Sequence, residues 1–161
     1  MVEDTRLKSG GERARTMVDA NEELVAFVES CSDADWAKIC EGETWPVAVV
    51  AYHVAAGHRV VAGWIEELLA GGVSLTRDEL DAANRAMAAQ RADVTPAEVV
   101  DVSRRNVQML AATLRRLSDD DLRATAPFGP AGGTMVPVDH VAGSRSHLDG
   151  HLASMRAAAG R

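Results

Sequence analysis

No useful length of this chain alternates apolar with polar residues as a half-buried strand does, whereas apolar residues recur at three- and four-residue spacing in segment after segment. That pattern predicts an all-α fold. Met17, Leu24, Val25, Phe27 and Val28 lie at helical spacing, so the first helix is expected over about residues 11–29, with a short helical turn starting at Ser32-Asp33-Ala34-Asp35-Trp36. Trp45-Pro46 opens a second long helix running to Leu69, because proline suits a first helical position where its missing N–H would be unpaired anyway. Gly71-Gly72 ends it. Thr76 with Glu79, and Thr95-Pro96-Ala97-Glu98, each carry the capping-box spacing. They start a shorter helix to about Gln90 and a long one to about Leu117, the latter burying Val99, Val102, Val107, Leu110, Leu114 and Leu117. Ser118-Asp119-Asp120-Asp121-Leu122 echoes the Ser32 turn. Prolines and glycines between Ala124 and Thr134 predict an irregular excursion. A last helix is expected from about Pro137 to Ala158. The sum is four long helices and one shorter connecting helix, a four-helix bundle.

The 161 residues make about one domain, expected to span 1–161 with 1–9 flexible; a chain of this size buries roughly two-thirds of its unfolded surface without help from metal or disulfide. A net charge of −7 with scattered Lys and Arg argues against nucleic acid as a partner. The longest apolar stretch, residues 45–57, contains His53 and is too short for a bilayer, so it reads as a buried core helix. The polar start, Met1 to Arg15, lacks an apolar signal segment, and a cytoplasmic location is expected. Cys31 and Cys40 fit no CxxC pattern and read as packed or partly exposed free thiols.

His147 and His151 are four residues apart, which stacks them on one face of the last helix as a two-point chelate. His53 is the natural third donor: it lies in the most apolar helix, where a buried imidazole needs a partner for its nitrogens. At about 1.5 Å per residue, His53 stands roughly 10 Å from Pro46, and the other two roughly 15 and 21 Å from Pro137. In a bundle about 30 Å tall these levels meet best if the two helices run antiparallel. Three nitrogens leave a coordination position open, the arrangement of a catalytic site. Imidazole suits zinc, nickel, iron and copper, so the donor set does not select the metal, although zinc or nickel is the expectation. Alternatively, His147 and His151 are surface residues and His53 a hydrogen-bonded core histidine. Leu148 stands where a zinc-protease His-Glu-x-x-His has glutamate, which disfavours peptidase chemistry. Small residues flank the ligands: Ala56 and Gly57, Gly143 and Ser144, and Gly150. They leave room for a substrate or allow close helix packing. His58, about 140° around the helix from His53, is expected at a solvated or pocket-edge position. His140, seven residues before His147, shares its face two turns away and either lines the pocket or simply packs.

Trp45-Pro46-Val47 followed by His53, the capped Thr95-Pro-Ala-Glu98 helix, Ser118-Asp-Asp-Asp-Leu122 and His147-Leu-Asp-Gly-His151-Leu152 resemble the DinB/YfiT-like superfamily in chain order, over nearly the whole chain. The resemblance implies an up-down-down-up four-helix bundle with a metal triad at His53, His147 and His151. It also implies thiol S-transferase or isomerase chemistry on a small electrophile, using bacillithiol, glutathione or mycothiol. The Ala, Arg and Val bias looks like that of a high-GC source, for which the resemblance implies mycothiol as the thiol, by analogy. Gly150 departs from the family, which often carries glutamate there, and Asp149 lies one residue earlier; Asn84-Arg85 falls where some relatives place polar pocket residues. A noncatalytic small-ligand or stress-associated bundle that keeps the metal is the second reading. A structural homodimer without metal is the third.

Overall fold

A computed structural model describes residues 7–142 and 145–161. The elements run α1 (Gly10–Ser30), α2 (Asp33–Ala37), β1 (Ile39–Cys40), β2 (Trp45–Pro46), α3 (Val47–Ala70), α4 (Arg77–Gln90), α5 (Pro96–Arg115), α6 (Asp119–Arg123), β3 (Thr125–Phe128), β4 (Thr134–Pro137), α7 (Val138–Val141) and α8 (Ser146–Ala158). The fold is all-α, with two small antiparallel ladders as its only sheet among the described residues.

Local chemistry sets the helix starts. Ser9, Ser32, Thr76, Thr95 and Ser118 each accept from the backbone N–H three residues on, while the Glu or Asp at that position accepts from the cap's own N–H. Each box satisfies two donors that a helix start leaves unpaired, a contribution of about 1 kcal/mol. Ser9 thus caps α1, and Leu7 packs against the core, within the segment expected to be flexible.

Helices α1 and α3 both pack on α5, and α3 also meets α8. The buried side chains form two apolar groups. One holds Met17, Ile65, Leu110, Leu114, Leu122 and Phe128; the other holds Leu24, Val28, Val50, Val54, Leu152 and Met155. Each fully buried leucine contributes about 1.5–3 kcal/mol. Between the groups along α1, α3 and α5 lies a polar layer of Asn21, His58, Ser103 and Asn106, all buried. His58 Nε2 is 2.9 Å from Asn21 Oδ1, and Asn106 Nδ2 donates to Ala55 O at 3.1 Å. Asn21 Nδ2 faces Ser103 Oγ at 3.5 Å, which turns its oxygen toward His58 and makes Nε2–H the donor.

Four expectations need correction. His58 is not solvated: it is 4% exposed, because α3 is covered on several sides and an angle measured from His53 does not lead to water. Proline does not open α3 from inside. Pro46 is its N-cap, and Trp45–Pro46 pair with Ile39–Cys40 as β2. The excursion after Ala124 is an ordered hairpin, Thr125–Phe128 paired with Thr134–Pro137. Its alternating burial, with Ala126 and Phe128 inward, is only four residues long and hidden among prolines and glycines. The last helix is broken: α7 ends at Val141 and α8 starts at Ser146. Gly143 and Ser144, weak helix formers by sequence, lie outside the described residues. Arg145 fastens the start of α8 to α1, binding Asp149 at 2.8 Å and Glu23 at 3.1 Å.

Two stability predictions follow from this packing. A Cβ at Gly10 would collide with the Leu114 carbonyl oxygen, so Gly10→Ala should lower unfolding free energy by about 1–3 kcal/mol in urea titration; no change would contradict the close approach of α1 and α5. Burial pushes the His58 imidazole down to about 4, below the value near 6.5 that the unfolded chain restores. The folded state therefore keeps its full margin above about pH 6.5 and loses it as pH falls toward 4, because the unfolded chain takes up the proton first. Between pH 7 and 4 the wild type should lose up to about 3 kcal/mol more stability than His58→Gln. Parallel pH profiles would contradict the assignment.

Candidate metal centre

The second turn of α3 carries His53, just past the point where β2 delivers the chain into the helix. The first two turns of α8 carry His147 and His151 on one face, with ring centroids 4.5 Å apart. Packing of α3 on α8 brings His53 to 5.8 Å from the first ring and 5.1 Å from the second. One ring nitrogen from each of the three lies within 4.8 Å of the others. Trp45 sets its ring edge-on to His53 at 5.7 Å, closing one side. His53 and His151 are half-buried and His147 is exposed, so the cluster opens to solvent on the His147 side.

Electrostatics disfavour protonation of two of these rings, His53 and His147. Burial, followed by the nearby His151 and His147, pushes His53 down to about 4, against a weaker upward pull from Glu43. Burial and then His151 lower His147 as well. Neutral imidazoles present lone pairs, the state a metal ligand requires.

Beside the cluster, the turn between β1 and β2 brings in a carboxylate. Glu43 Oε1 lies 2.7 Å from His151 Nδ1, and Ser154 Oγ donates to Glu43 Oε2 at 2.6 Å. Burial works to raise the Glu43 carboxyl, but the Ser154 and His151 hydrogen bonds outweigh it and hold the group below its ordinary value. An ionised carboxylate can only accept, so His151 Nδ1–H is the donor in this hydrogen bond.

Three imidazole donors fit a first-row divalent ion. Two nitrogens on one tetrahedral zinc sit about 3.4 Å apart, given Zn–N near 2.1 Å, and the 4.8 Å spread is within reach of small side-chain rotations. Three protein donors leave at least one position free on the open side.

The remaining expected site residues fall elsewhere. His140 is exposed on α7, and its phase with His147 is lost where the helix breaks, as is the depth comparison measured from Pro137. Asp149 is held by Arg145. A Cβ at Gly57 or Gly150 would meet nothing within 4 Å, so neither position reflects close helix packing. Asn84 and Arg85 sit on α4, which buries no residue. Cys31 and Cys40 are free, and burial, with Glu43 adding to it, pushes the Cys40 thiol up to about 11, far from thiolate chemistry at neutral pH. A cleft of about 720 Å³ between α3 and α5, lined by Tyr52, Trp64, Arg91 and Glu98 among others, includes none of the three histidines. Sequence reasoning missed Glu43 and Ser154. Ser154 follows His151 by three residues and so shares its face, a signal that was available; Glu43 lies in a turn whose direction no periodicity reveals.

Residues 16–155 match the DinB superfamily. The chain belongs to that family. Among solved structures, the DinB fold here is similar to a crystal structure of a histidine-to-alanine variant of mycothiol-dependent maleylpyruvate isomerase, with a TM-score of 0.53 and 16% identity. The likeness covers 95% of this chain and 62% of that one, so this chain spans less than two-thirds of its structural relative. No curated protein matches. Among the described residues, no helix is long and apolar enough to cross a membrane.

Proposed function

We propose that this DinB protein binds one divalent metal ion, zinc or nickel, on His53, His147 and His151, and acts as a thiol S-transferase or isomerase on a small electrophile. The observation that carries the reading is the convergence of three imidazoles from two helices at a point open to solvent. The name of the structural relative supports a low-molecular-weight thiol, with mycothiol the first to test. When bound, the ion supplies a positive charge that favours the thiolate form of a thiol beside it.

The chain's own residues do the rest. His53, from the buried helix, fixes the depth of the site, while His147 marks its mouth. Trp45 keeps water from the His53 side. In a transfer, the thiol proton passes to solvent, sulfur bonds the electrophilic carbon, and the leaving group departs with its bonding pair. In an isomerisation, sulfur adds and later leaves, so the thiol is regenerated. A second reading, metal retention without turnover, is favoured by one feature: Glu43 and Asp149 are both committed to other side chains, so neither stands free as a base.

The test is metal content after exposure to zinc or nickel and exhaustive dialysis. About one ion per chain is expected for the wild type, and near none for His53→Ala, His147→Ala or His151→Ala with circular dichroism unchanged. Saturating ion should raise the melting temperature of the wild type alone, with a gain of about 4 kcal/mol at 1,000 times the dissociation constant. Thiol consumption by the loaded protein should vanish in His53→Ala. Equal metal content in wild type and variants would overturn the site; metal without turnover of any thiol and electrophile pair would favour the second reading.

A further inference from the structure

The β1–β2 hairpin touches both halves of the histidine cluster. Trp45 lies edge-on to His53 of α3, and Glu43, two residues earlier, reaches His151 of α8. Both carboxylate oxygens of Glu43 are used by one helix, through His151 Nδ1 at 2.7 Å and Ser154 Oγ at 2.6 Å. The pair is well shielded, with side-chain exposures of 14% for Glu43 and 16% for His151. A two-point clamp of this kind removes rotation of the carboxylate as well as of the ring.

The backbone of the turn adds an independent observation. Thr44, next to Glu43, is the only non-glycine among the described residues in the left-handed region, at φ 61°. That conformation is unfavourable for a β-branched side chain and persists only where surrounding structure imposes it, typically at functional sites. Here the ladder pairing of Cys40 with Trp45 and the Thr44 N–H bond to Cys40 O at 2.8 Å impose it.

We infer that Glu43 is a positioning residue for the metal centre: from the strained turn it locks His151 as the Nδ1–H tautomer, so that Nε2 is the nitrogen offered to an ion. Histidines that ligate metals commonly donate their other N–H to a carboxylate, and losing that partner weakens metal binding about 10–100-fold. This role rests on the metal site proposed above, but the tautomer it specifies exists without metal. Ser154 acts one step further out, holding the carboxylate toward the ring.

The experiment uses full-length, metal-free protein labelled with ¹⁵N-histidine. Long-range ¹H–¹⁵N correlations should show His151 protonated at Nδ1 in the wild type and shifting toward Nε2–H in Glu43→Gln, whose amide can either accept or donate. Chelator competition with Co(II) should give binding about 10–100-fold weaker for Glu43→Gln and a smaller loss for Ser154→Ala. A wild-type His151 protonated at Nε2 would overturn the inference, and that reading does not depend on any variant folding. So would Glu43→Gln that keeps both the tautomer and, within about twofold, the cobalt affinity. Failure of the wild type to bind cobalt would overturn the metal reading itself, while the tautomer would still decide what Glu43 does to His151.

Discussion

Helix α3 packs on α5 along one side and on α8 along another, and this packing sets the environment of its two histidines. A buried imidazole costs free energy unless its nitrogens are satisfied, and α3 carries one buried, His58, and one half-buried, His53. His58 meets an amide, Asn21 of α1, inside a polar layer between two apolar groups. His53 meets two further imidazoles at the opening beside α8. The same helix therefore holds a histidine serving the core and a histidine serving a site, five residues apart.

The contrast is one of partners and access. His58 has a neutral amide against one ring nitrogen and almost no exposure, which leaves no space for a ligand. Around His53, burial and the neighbouring rings disfavour protonation, while the exposed His147 keeps a path to solvent. Three imidazoles around an open point, two of them disfavoured from protonation, motivate the proposed cation site. The β1–β2 turn adds the only carboxylate that hydrogen-bonds one of these rings among the described residues, and it does so at a residue pair otherwise remote in sequence.

Much of this was legible in the chain. Helix starts were marked by residues whose side chains cap backbone N–H groups, as at Thr76 and Thr95, and the structure places caps at both. The i, i+4 spacing of His147 and His151, with the apolar setting of His53, foretold which three rings would meet. What periodicity could not convey was tertiary direction. His58 was misplaced because a single helix does not reveal how many neighbours cover it, although Asn21, a polar residue on the apolar face of α1, was the clue. The hairpin at Thr125–Pro137 was obscured by its short strands, and the break after Val141 by a helical pattern that continues across it. Glu43 depended on the path of a turn, which no local pattern encodes.

The central claim is that three imidazoles from α3 and α8 share one ion. Anomalous diffraction at the zinc or nickel edge, from crystals grown with that metal, tests it most directly. The account predicts a single strong peak in coordinating contact with one nitrogen of each of His53, His147 and His151, with Glu43 still on His151. A peak held by other side chains, or by the α8 pair without His53, would contradict it.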